Sequence, residues 1–276
     1  MSDAESFAAA ATADFRDLQG RLCRAFEAFE PTARFAPKSW ARPAGHRLQG
    51  GGWSALLRGD VFEKVGVNVS HVWGTLAPES RGQVAGARES EGRFSACGLS
   101  LVAHMANPYT PTVHMNLRYL TTRQAWFGGG ADLTPTFPIA EDTAEFHGAL
   151  QAACDAYRPG AYGEFKAWCD RYFYLPHRQE PRGVGGIFFD DLASGDRARD
   201  YAFVRSVGEA LLEVFPRIVA RRKDTPFDAQ AREQQLLKRG RYVEFNLVYD
   251  RGTRFGFSTD ADPEAYLMSL PPLAKW

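Results

Sequence analysis

Apolar residues recur at three- and four-residue spacing near the start of the chain, within a polar background. The positions are Phe15, Leu18, Leu22, Phe26 and Phe29. This spacing places their side chains on one face of a helix. Because Pro31 cannot continue the backbone hydrogen bonding of a helix, the sequence predicts an N-terminal helix over about residues 1–30.

Three later segments alternate between apolar and other residues, which is the period of a strand. They are residues 65–73, 99–105 and 113–120. In the third segment Val113, Met115 and Leu117 alternate with His114 and Asn116. Strands with one apolar and one polar or mixed side are typical of an antiparallel sheet, because strands of a buried parallel sheet are apolar on both sides.

The remaining segments are predicted to be loops, helices and a final hairpin. Loops rich in glycine are expected at residues 37–52 and 126–135. Helices are expected near residues 141–156 and 161–174, and a third from Phe203 to Val214, which Pro216 bends or ends. Residues 241–249 have strand character, and a turn at 250–253 would lead into residues 254–258 as a hairpin.

Strands followed by helices and a hairpin predict an α+β fold. We find no internal repeat, no low-complexity linker and no clear boundary along the 276 residues. We therefore expect one domain over residues 1–276.

The charge balance argues against nucleic acid as a partner. The chain has 33 Lys and Arg against 33 Asp and Glu, interspersed along the sequence, so it lacks the positive field that attracts phosphate backbones. Its uninterrupted apolar stretches are too short for a transmembrane helix. Asp3, Glu5 and Asp14 stand where a signal peptide or presequence would carry basic residues, which predicts a cytoplasmic location.

Polar side chains gather on two of the predicted strands. His114, Asn116 and Arg118 project from the same side of one strand, and Ser100 and His104 share a face of another. An imidazole, an amide and a guanidinium in a row can bind a carboxylate and move a proton beside it. An ordinary solvated sheet face accounts for the same pattern equally well.

The predicted hairpin carries a second polar row, Glu244, Asn246 and Asp250, with Arg251 beside it. Two such faces across a sheet would form a pocket with both charge signs, although cross-strand surface pairing or a simple turn is the alternative. Asp132 in the expected glycine loop is either a turn residue or a carboxylate presented to a site.

Other kinds of site have little support in the sequence. The glycines at 128–130 match neither dinucleotide nor P-loop spacing, and the four cysteines form no CxxC pair. His104, His147 and His177 could hold a metal ion together, but no HExxH motif accompanies them. We see no motif for flavin, haem or nicotinamide.

Several longer segments closely resemble the oxygen-dependent coproporphyrinogen-III oxidases, over about residues 40–276. They are VFEKVGVNVS (61–70), HMNLR (114–118), WFGGGADLTP (126–135), YFYLPHR (172–178), RGVGGIFFDDL (182–192) and RGRYVEFNL (239–247). The resemblance implies oxidative decarboxylation of two propionates of coproporphyrinogen III to vinyl groups, with O2 as co-substrate and protoporphyrinogen IX as product. It also implies a large curved antiparallel sheet flanked by helices, and a homodimer in which residues 242–276 contribute to the interface.

The resemblance assigns roles to individual residues. His114 matches the family's proton-donor histidine. Ser100, Asn116, Leu117 and Arg118 match substrate-contacting positions, while Asp132, Asp250 and Arg251 match residues proposed to act at the substrate. His104, His147 and His177 match histidines assigned to a divalent, manganese-like metal ion in bacterial members.

Two departures limit this transfer, and two other functions remain open. Asp260-Ala261-Asp262 replaces a Gly-Gly-Arg segment that contacts substrate in many bacterial members, and the sequence ends at Trp276, where relatives usually continue. A tetrapyrrole carrier on the same fold would bind substrate without consuming oxygen. A metal-dependent oxygenase for another acid would not bind it.

Overall fold

The computed structural model describes residues 3–258 and 262–276. The helices are α1 (Asp3–Glu27), α2 (Ala140–Tyr157), α3 (Ala161–Tyr172), α4 (Arg197–Arg222), α5 (Ala229–Val248), α6 (Arg251–Ser258) and α7 (Pro263–Tyr266). The strands are β1 (Ala36–Ala41), β2 (Leu48–Leu57), β3 (Phe62–Thr75), β4 (Arg93–Met105), β5 (Thr112–Thr121), β6 (Ala125–Thr134), β7 (Tyr174–Leu175), β8 (Glu180–Pro181) and β9 (Gly185–Leu192). Two short 3-10 turns span Pro78–Gln83 and Leu267–Ser269.

Seven of the strands form one open antiparallel sheet, in the order β1-β2-β3-β4-β5-β6-β9. The alternating segments of the sequence are its central strands β3, β4 and β5, so the predicted α+β class and antiparallel pairing are confirmed. The register places Ser100 beside Asn116 and His114 beside Asp132. It therefore brings polar residues of neighbouring strands onto a common face.

The opposite face of the sheet carries the main hydrophobic core. Val113, Met115 and Leu117 of β5 are fully buried there among side chains of α1 and α4. Helix α1 contributes Phe15 and Phe26 to this core, as its spacing predicts, and it ends before Pro31. The apolar half of each strand thus fixes which face is left for polar chemistry.

The two glycine-rich segments are mostly strand, so this prediction was wrong except for residues 42–47, which connect two strands. Residues 36–41 and 48–57 form β1 and β2, and residues 125–134 form β6. A Cβ atom on Gly51 would lie 2.2 Å from Trp40 O, and one on Gly129 would lie 2.6 Å from Asn116 O. The glycines here allow close approach between paired strands, which local sequence does not distinguish from loop flexibility.

The expected C-terminal hairpin is also wrong, because its residues are helical. Residues 241–248 belong to α5, and residues 251–258 form α6. Tyr242, Phe245 and Asn246 are buried, which is helical spacing that the alternation of residues 241–249 concealed. Tertiary packing decides between the two periods in such short segments. Helix α4 likewise continues past Pro216 to Arg222.

Two further predictions, on residues 260–262 and on transmembrane helices, can be compared with the structure only over the described residues. Asp260 and Ala261 lie outside the described residues, whereas Asp262 caps α7 by accepting a hydrogen bond from Glu264 N at 3.0 Å. Along residues 3–258 and 262–276, no helix has both the length and the apolar character that crossing a bilayer requires.

Candidate active site

His114, Asn116 and Arg118 lie on the polar face of the sheet, as their spacing in β5 predicts. Each is half-buried, while the residues between them are fully buried on the other face. Leu117 is one of those buried residues, so its side chain faces the core. The expected role of Leu117 in substrate binding is therefore limited to its backbone.

His114 is paired with a buried carboxylate on the neighbouring strand. Its Nδ1 lies 2.8 Å from Oδ1 of Asp132, its partner in the β5–β6 register. Burial by itself would raise the pKa of Asp132, but the charge of Arg182 and the bond to His114 hold it below its usual value. An ionised carboxylate can only accept, so Nδ1 of His114 carries the proton and Nε2 is left for other chemistry.

Arg182 is the third member of this chain of contacts. One of its terminal nitrogens lies 2.7 Å from each oxygen of Asp132, and its side chain is only 1% exposed. The guanidinium sits against the rings of Phe173, Tyr242 and Phe245, at 3.9, 4.6 and 4.7 Å from their centroids. Such a cage fixes the position of the cation and, through it, that of Asp132.

A second charged group lies on the same face. Arg118 donates to Asp190 Oδ1 at 2.7 Å, and the guanidinium of Arg251 lies 2.9 Å from Asp190 Oδ2. The side chain of Asp190 is fully buried, while 25% of Arg118 and 50% of Arg251 are exposed. The two arginines therefore share one hidden carboxylate and present their remaining surface outward.

Asp250 lies at the start of α6, beside Arg251. Its side chain accepts a hydrogen bond from Thr253 N at 2.7 Å and one from the hydroxyl of Tyr172 at 3.2 Å. The first of these contacts is a helix N-cap, which explains why the residues after it turn into a helix. Asp250 thus has a clear structural task in addition to any role at the substrate.

Ser100 and Asn116 continue the polar face toward β3, where Asn68 pairs with Ser100. Asn68 and Asn116 each have a buried amide oxygen without a hydrogen-bond partner among the described residues. Buried acceptors are normally satisfied, so these two oxygens are positioned for a donor from outside the chain.

The chain itself covers part of this face with residues 265–270. Asn68 donates to Ala265 O at 2.8 Å, Lys64 to Leu270 O at 2.7 Å and His104 to Ser269 O at 2.8 Å. The sulfur of Met268 would lie 2.2 Å from a Cβ atom added to Gly66, so this segment packs directly on the sheet.

Comparisons with known proteins bear on this arrangement. The family model described as coproporphyrinogen III oxidase matches residues 10–276. Curated proteins named oxygen-dependent coproporphyrinogen-III oxidase are similar over 271 residues, covering 95% of this chain and 95% of each relative. They include proteins of Rickettsia akari (51% identity), Rickettsia conorii (50%) and Rickettsia bellii (49%). The chain belongs to the coproporphyrinogen III oxidase family.

The three histidines that this family resemblance assigns to a metal do not meet in the structure. His104 bonds to Ser269 O and Thr112, His147 to Val184 O and Tyr162, and His177 to Tyr249 and Glu244. Both ring nitrogens of each histidine are therefore engaged by protein atoms. Within the described part of the chain, no three His, Cys, Asp or Glu side chains are grouped to hold a metal ion.

These residues do not fit the expected metal ion as one site. Burial lowers the pKa of His104 to about 3, so its imidazole is neutral, but its two nitrogens are already taken. Metal binding by the protein stays a prediction.

Sequence reasoning missed two charged residues of the polar face in this member of the coproporphyrinogen III oxidase family, Arg182 and Asp190. Both lie in the segment RGVGGIFFDDL, which was noticed only as a family motif. A signal was present, because Asp190 directly follows an apolar strand and Arg182 precedes one. A charged residue beside a buried apolar strand is informative, because charged residues are rarely buried unless they are paired.

Proposed function

We propose that this polar face binds coproporphyrinogen III and carries out the oxidative decarboxylation of two of its propionates to vinyl groups with O2, giving protoporphyrinogen IX. The observation that carries the proposal is that two groups of charged residues, each with one member on β5, share the polar face of the sheet. The His114–Asp132–Arg182 chain can move a proton, and the Arg118–Asp190–Arg251 group can hold carboxylates. Family membership supplies the reaction.

The substrate's shape suits these groups. Coproporphyrinogen III is a flexible tetrapyrrole with carboxylates on its rim and pyrrole N–H groups at its centre. Arg118 and Arg251 keep 25% and 50% of their side-chain surface accessible and match the rim. The unpaired amide oxygens of Asn68 and Asn116 can accept hydrogen bonds from the N–H groups.

The reaction requires electrons and a proton to leave each reacting propionate. The group loses carbon dioxide, one proton and two electrons when it becomes a vinyl group. The four electrons from two such groups, together with four protons, reduce one O2 to two molecules of water. Electron-rich pyrroles react with oxygen readily, so the protein has to orient the ring, exclude water and move the proton. It needs no flavin, haem or nicotinamide for these tasks.

His114 is the proton-transfer residue in this proposal. Its Nδ1–H is held by Asp132, which leaves Nε2 to exchange a proton with the substrate. The proton it receives makes an imidazolium, which the adjacent carboxylate stabilises. In this proposal Asp250 and Arg251 contact the substrate from the start of α6, and Ser100 and Asn116 contact it from the sheet.

An oxygen-dependence assay tests the function. Purified protein is mixed with coproporphyrinogen III with and without O2. The remaining substrate and the product are then oxidised to porphyrins, which are distinguished by their fluorescence. We expect protoporphyrin only in the aerated sample. Binding without conversion in the aerated sample would indicate a carrier, and failure to bind would indicate an oxygenase for a different acid.

We further propose that the protein acts as a homodimer that uses residues 242–276. Large apolar side chains in this segment are exposed, namely Leu247, Val248, Phe257, Leu273 and Trp276 at 42–69%. An exposed apolar patch of this kind marks an interaction surface. A monomer in sedimentation at micromolar concentration, with full activity, would contradict the dimer. The cytoplasmic location stays a prediction from the sequence.

A further inference from the structure

Asp190 lies where β9 departs from regular pairing with β6. The register shifts between Phe127 and Gly129, so that Asp190 and Asp191 together face one position of β6. Asp191 has a φ of 52°, which is rare for residues other than glycine, and its side chain is exposed. The irregularity turns Asp191 outward and leaves Asp190 on the polar face.

The space for Asp190 depends on the residue opposite. A Cβ atom on Gly128 would lie 2.3 Å from Asp190 Oδ1 and 2.6 Å from Arg118 Nε. Any side chain at position 128 would thus collide with the ion pair. The strained backbone of Asp191 on β9 and the absence of a side chain at Gly128 on β6 together make room for the buried carboxylate of Asp190.

Two guanidiniums converge on the single carboxylate of Asp190. The two arginines come from different elements, β5 and α6. Without Asp190 the two cations would repel each other, and among the described residues no other carboxylate forms an ion pair with both guanidiniums. A fully buried carboxylate between them fixes their separation and uses only part of their donor capacity.

We propose that Asp190 is a positioning residue, which holds Arg118 and Arg251 at a fixed spacing so that together they receive the propionates of the substrate. The proposal rests on the proposed function, because it takes the two arginines to be substrate contacts. Asp190 itself is buried beneath them and does not touch the substrate. Its role is expressed through the arginines, so its effect must disappear when they are absent.

The test compares Asp190→Asn with the matched control Asp191→Asn. Asparagine adopts positive φ values well, so the control removes a charge from the same turn without backbone strain. Binding is measured with the stable fluorescent porphyrin that carries the same four propionates, and turnover with the reduced substrate and O2. We expect Asp190→Asn to raise both the Kd and KM about tenfold, with kcat changed less than about threefold, and Asp191→Asn to change each by less than about twofold.

A second set of variants introduces Asp190→Asn into a protein in which Arg118 and Arg251 are already replaced by Ala. There Asp190→Asn should leave Kd unchanged, because nothing remains for it to position. If Asp190→Asn does not fold, Asp190→Glu keeps the charge but displaces it by a methylene, and a several-fold rise in Kd is expected. Thermal melting of each variant shows whether folding is retained.

Three results would overturn the role of Asp190. They are unchanged Kd in folded Asp190→Asn, an equal effect of the substitution with and without the arginines, and wild-type Kd in Asp190→Glu when Asp190→Asn is unfolded. Failure of the proposed function looks different. In that case the wild-type protein binds the porphyrin, and Asp190→Asn weakens that binding, but the reduced substrate is not converted in air.

Discussion

His114 owes its expected reactivity to residues that lie far from it in the sequence. Asp132 reaches it from the next strand, and Arg182 follows another fifty residues later. Because the cation keeps Asp132 ionised, the imidazole is held in one tautomer with Nε2 facing away from the carboxylate. At the residue scale, the proposed proton transfer therefore depends on Asp132 and Arg182 as well as on His114.

Replacing His114 by Ala should therefore remove proton transfer without removing binding. We expect kcat to fall by about 100- to 10,000-fold, with KM changed little, because the anchoring arginines remain. Steady-state kinetics under air provides the measurement. Arg118→Ala is the comparison, and there KM should rise while kcat falls less. Near wild-type turnover in folded His114→Ala would exclude His114 from the mechanism.

Gly128→Ala should disturb substrate binding through the buried ion pair. Its new Cβ would lie 2.3 Å from Asp190 Oδ1, so Arg118 and Asp190 must move apart. We expect KM to rise several-fold and stability to fall by about 1–3 kcal/mol, as for other overpacked sites. The measurements are kinetics and urea unfolding.

Gly148→Ala is the matched control for this substitution. Gly148 lies within α2, and an added Cβ would meet no atom within 4 Å. Alanine in a helix should stabilise the protein by about 0.5–1 kcal/mol and leave KM unchanged. Equal effects of the two alanines on KM would show that crowding at Asp190 is not the cause.

At the scale of elements, single carboxylates join segments that do not pair as strands or helices. Glu63 of β3 binds Arg232 and Arg239 of α5 at 2.8–2.9 Å. This places the helix that carries Tyr242 and Phe245 against the polar face, where those rings surround Arg182. The position of α5 therefore supports the site as well as the fold.

Glu30 has a comparable task at the entry to β3. Its carboxylate accepts hydrogen bonds from the backbone N–H groups of Asp60, Val61 and Phe62 at 2.7–3.0 Å. Glu30→Ala leaves these three donors without their partner, the buried N–H of Phe62 among them, and we expect the free energy of unfolding to fall by about 1–3 kcal/mol. Urea unfolding at neutral pH measures it.

The exposed Glu89→Ala serves as the control for Glu30. A surface substitution of this kind should change the free energy of unfolding by less than about 0.5 kcal/mol. If both alanine variants unfold at the same urea concentration as the wild type, the backbone contacts of Glu30 contribute nothing measurable.

At the scale of the whole molecule, charged side chains form local clusters although the net charge is zero. Glu244 of α5 contacts Arg178 and His177, and it accepts a hydrogen bond from the indole of Trp276 at 3.0 Å. The hydrogen bond from Arg178 is the main cause that lowers the pKa of Glu244 to about 2. This residue joins the end of the chain to α5 and to the turn between β7 and β8.

Glu244 should contribute to the acid sensitivity of the protein. A carboxyl with a lowered folded pKa stabilises the fold above its unfolded pKa, near 4.5, and this contribution is lost as the pH falls toward 2. Glu244→Gln should therefore be less stable than the wild type at pH 7, with a difference that shrinks as the pH falls below about 4.5. Urea unfolding at a series of pH values gives the comparison, and a difference that is independent of pH would contradict it.

The sequence by itself determined the features that depend on local periodicity. Helix α1, the alternating strands β3 to β5 and the common face of His114, Asn116 and Arg118 all follow from the spacing of neighbouring residues. The family motifs added the reaction, since long ordered segments are specific to one family. No contact between distant residues was needed for either conclusion.

Only the tertiary structure decided which charges meet. Strand register brings Asp132 to His114, and a bulge brings Asp190 between arginines from two elements. Packing also made α5 helical where local alternation predicted a strand, and it gave His104, His147 and His177 separate partners. The physical reason is that these outcomes depend on contacts between residues up to 165 positions apart, whereas local spacing constrains only the few residues within one turn of helix or one strand.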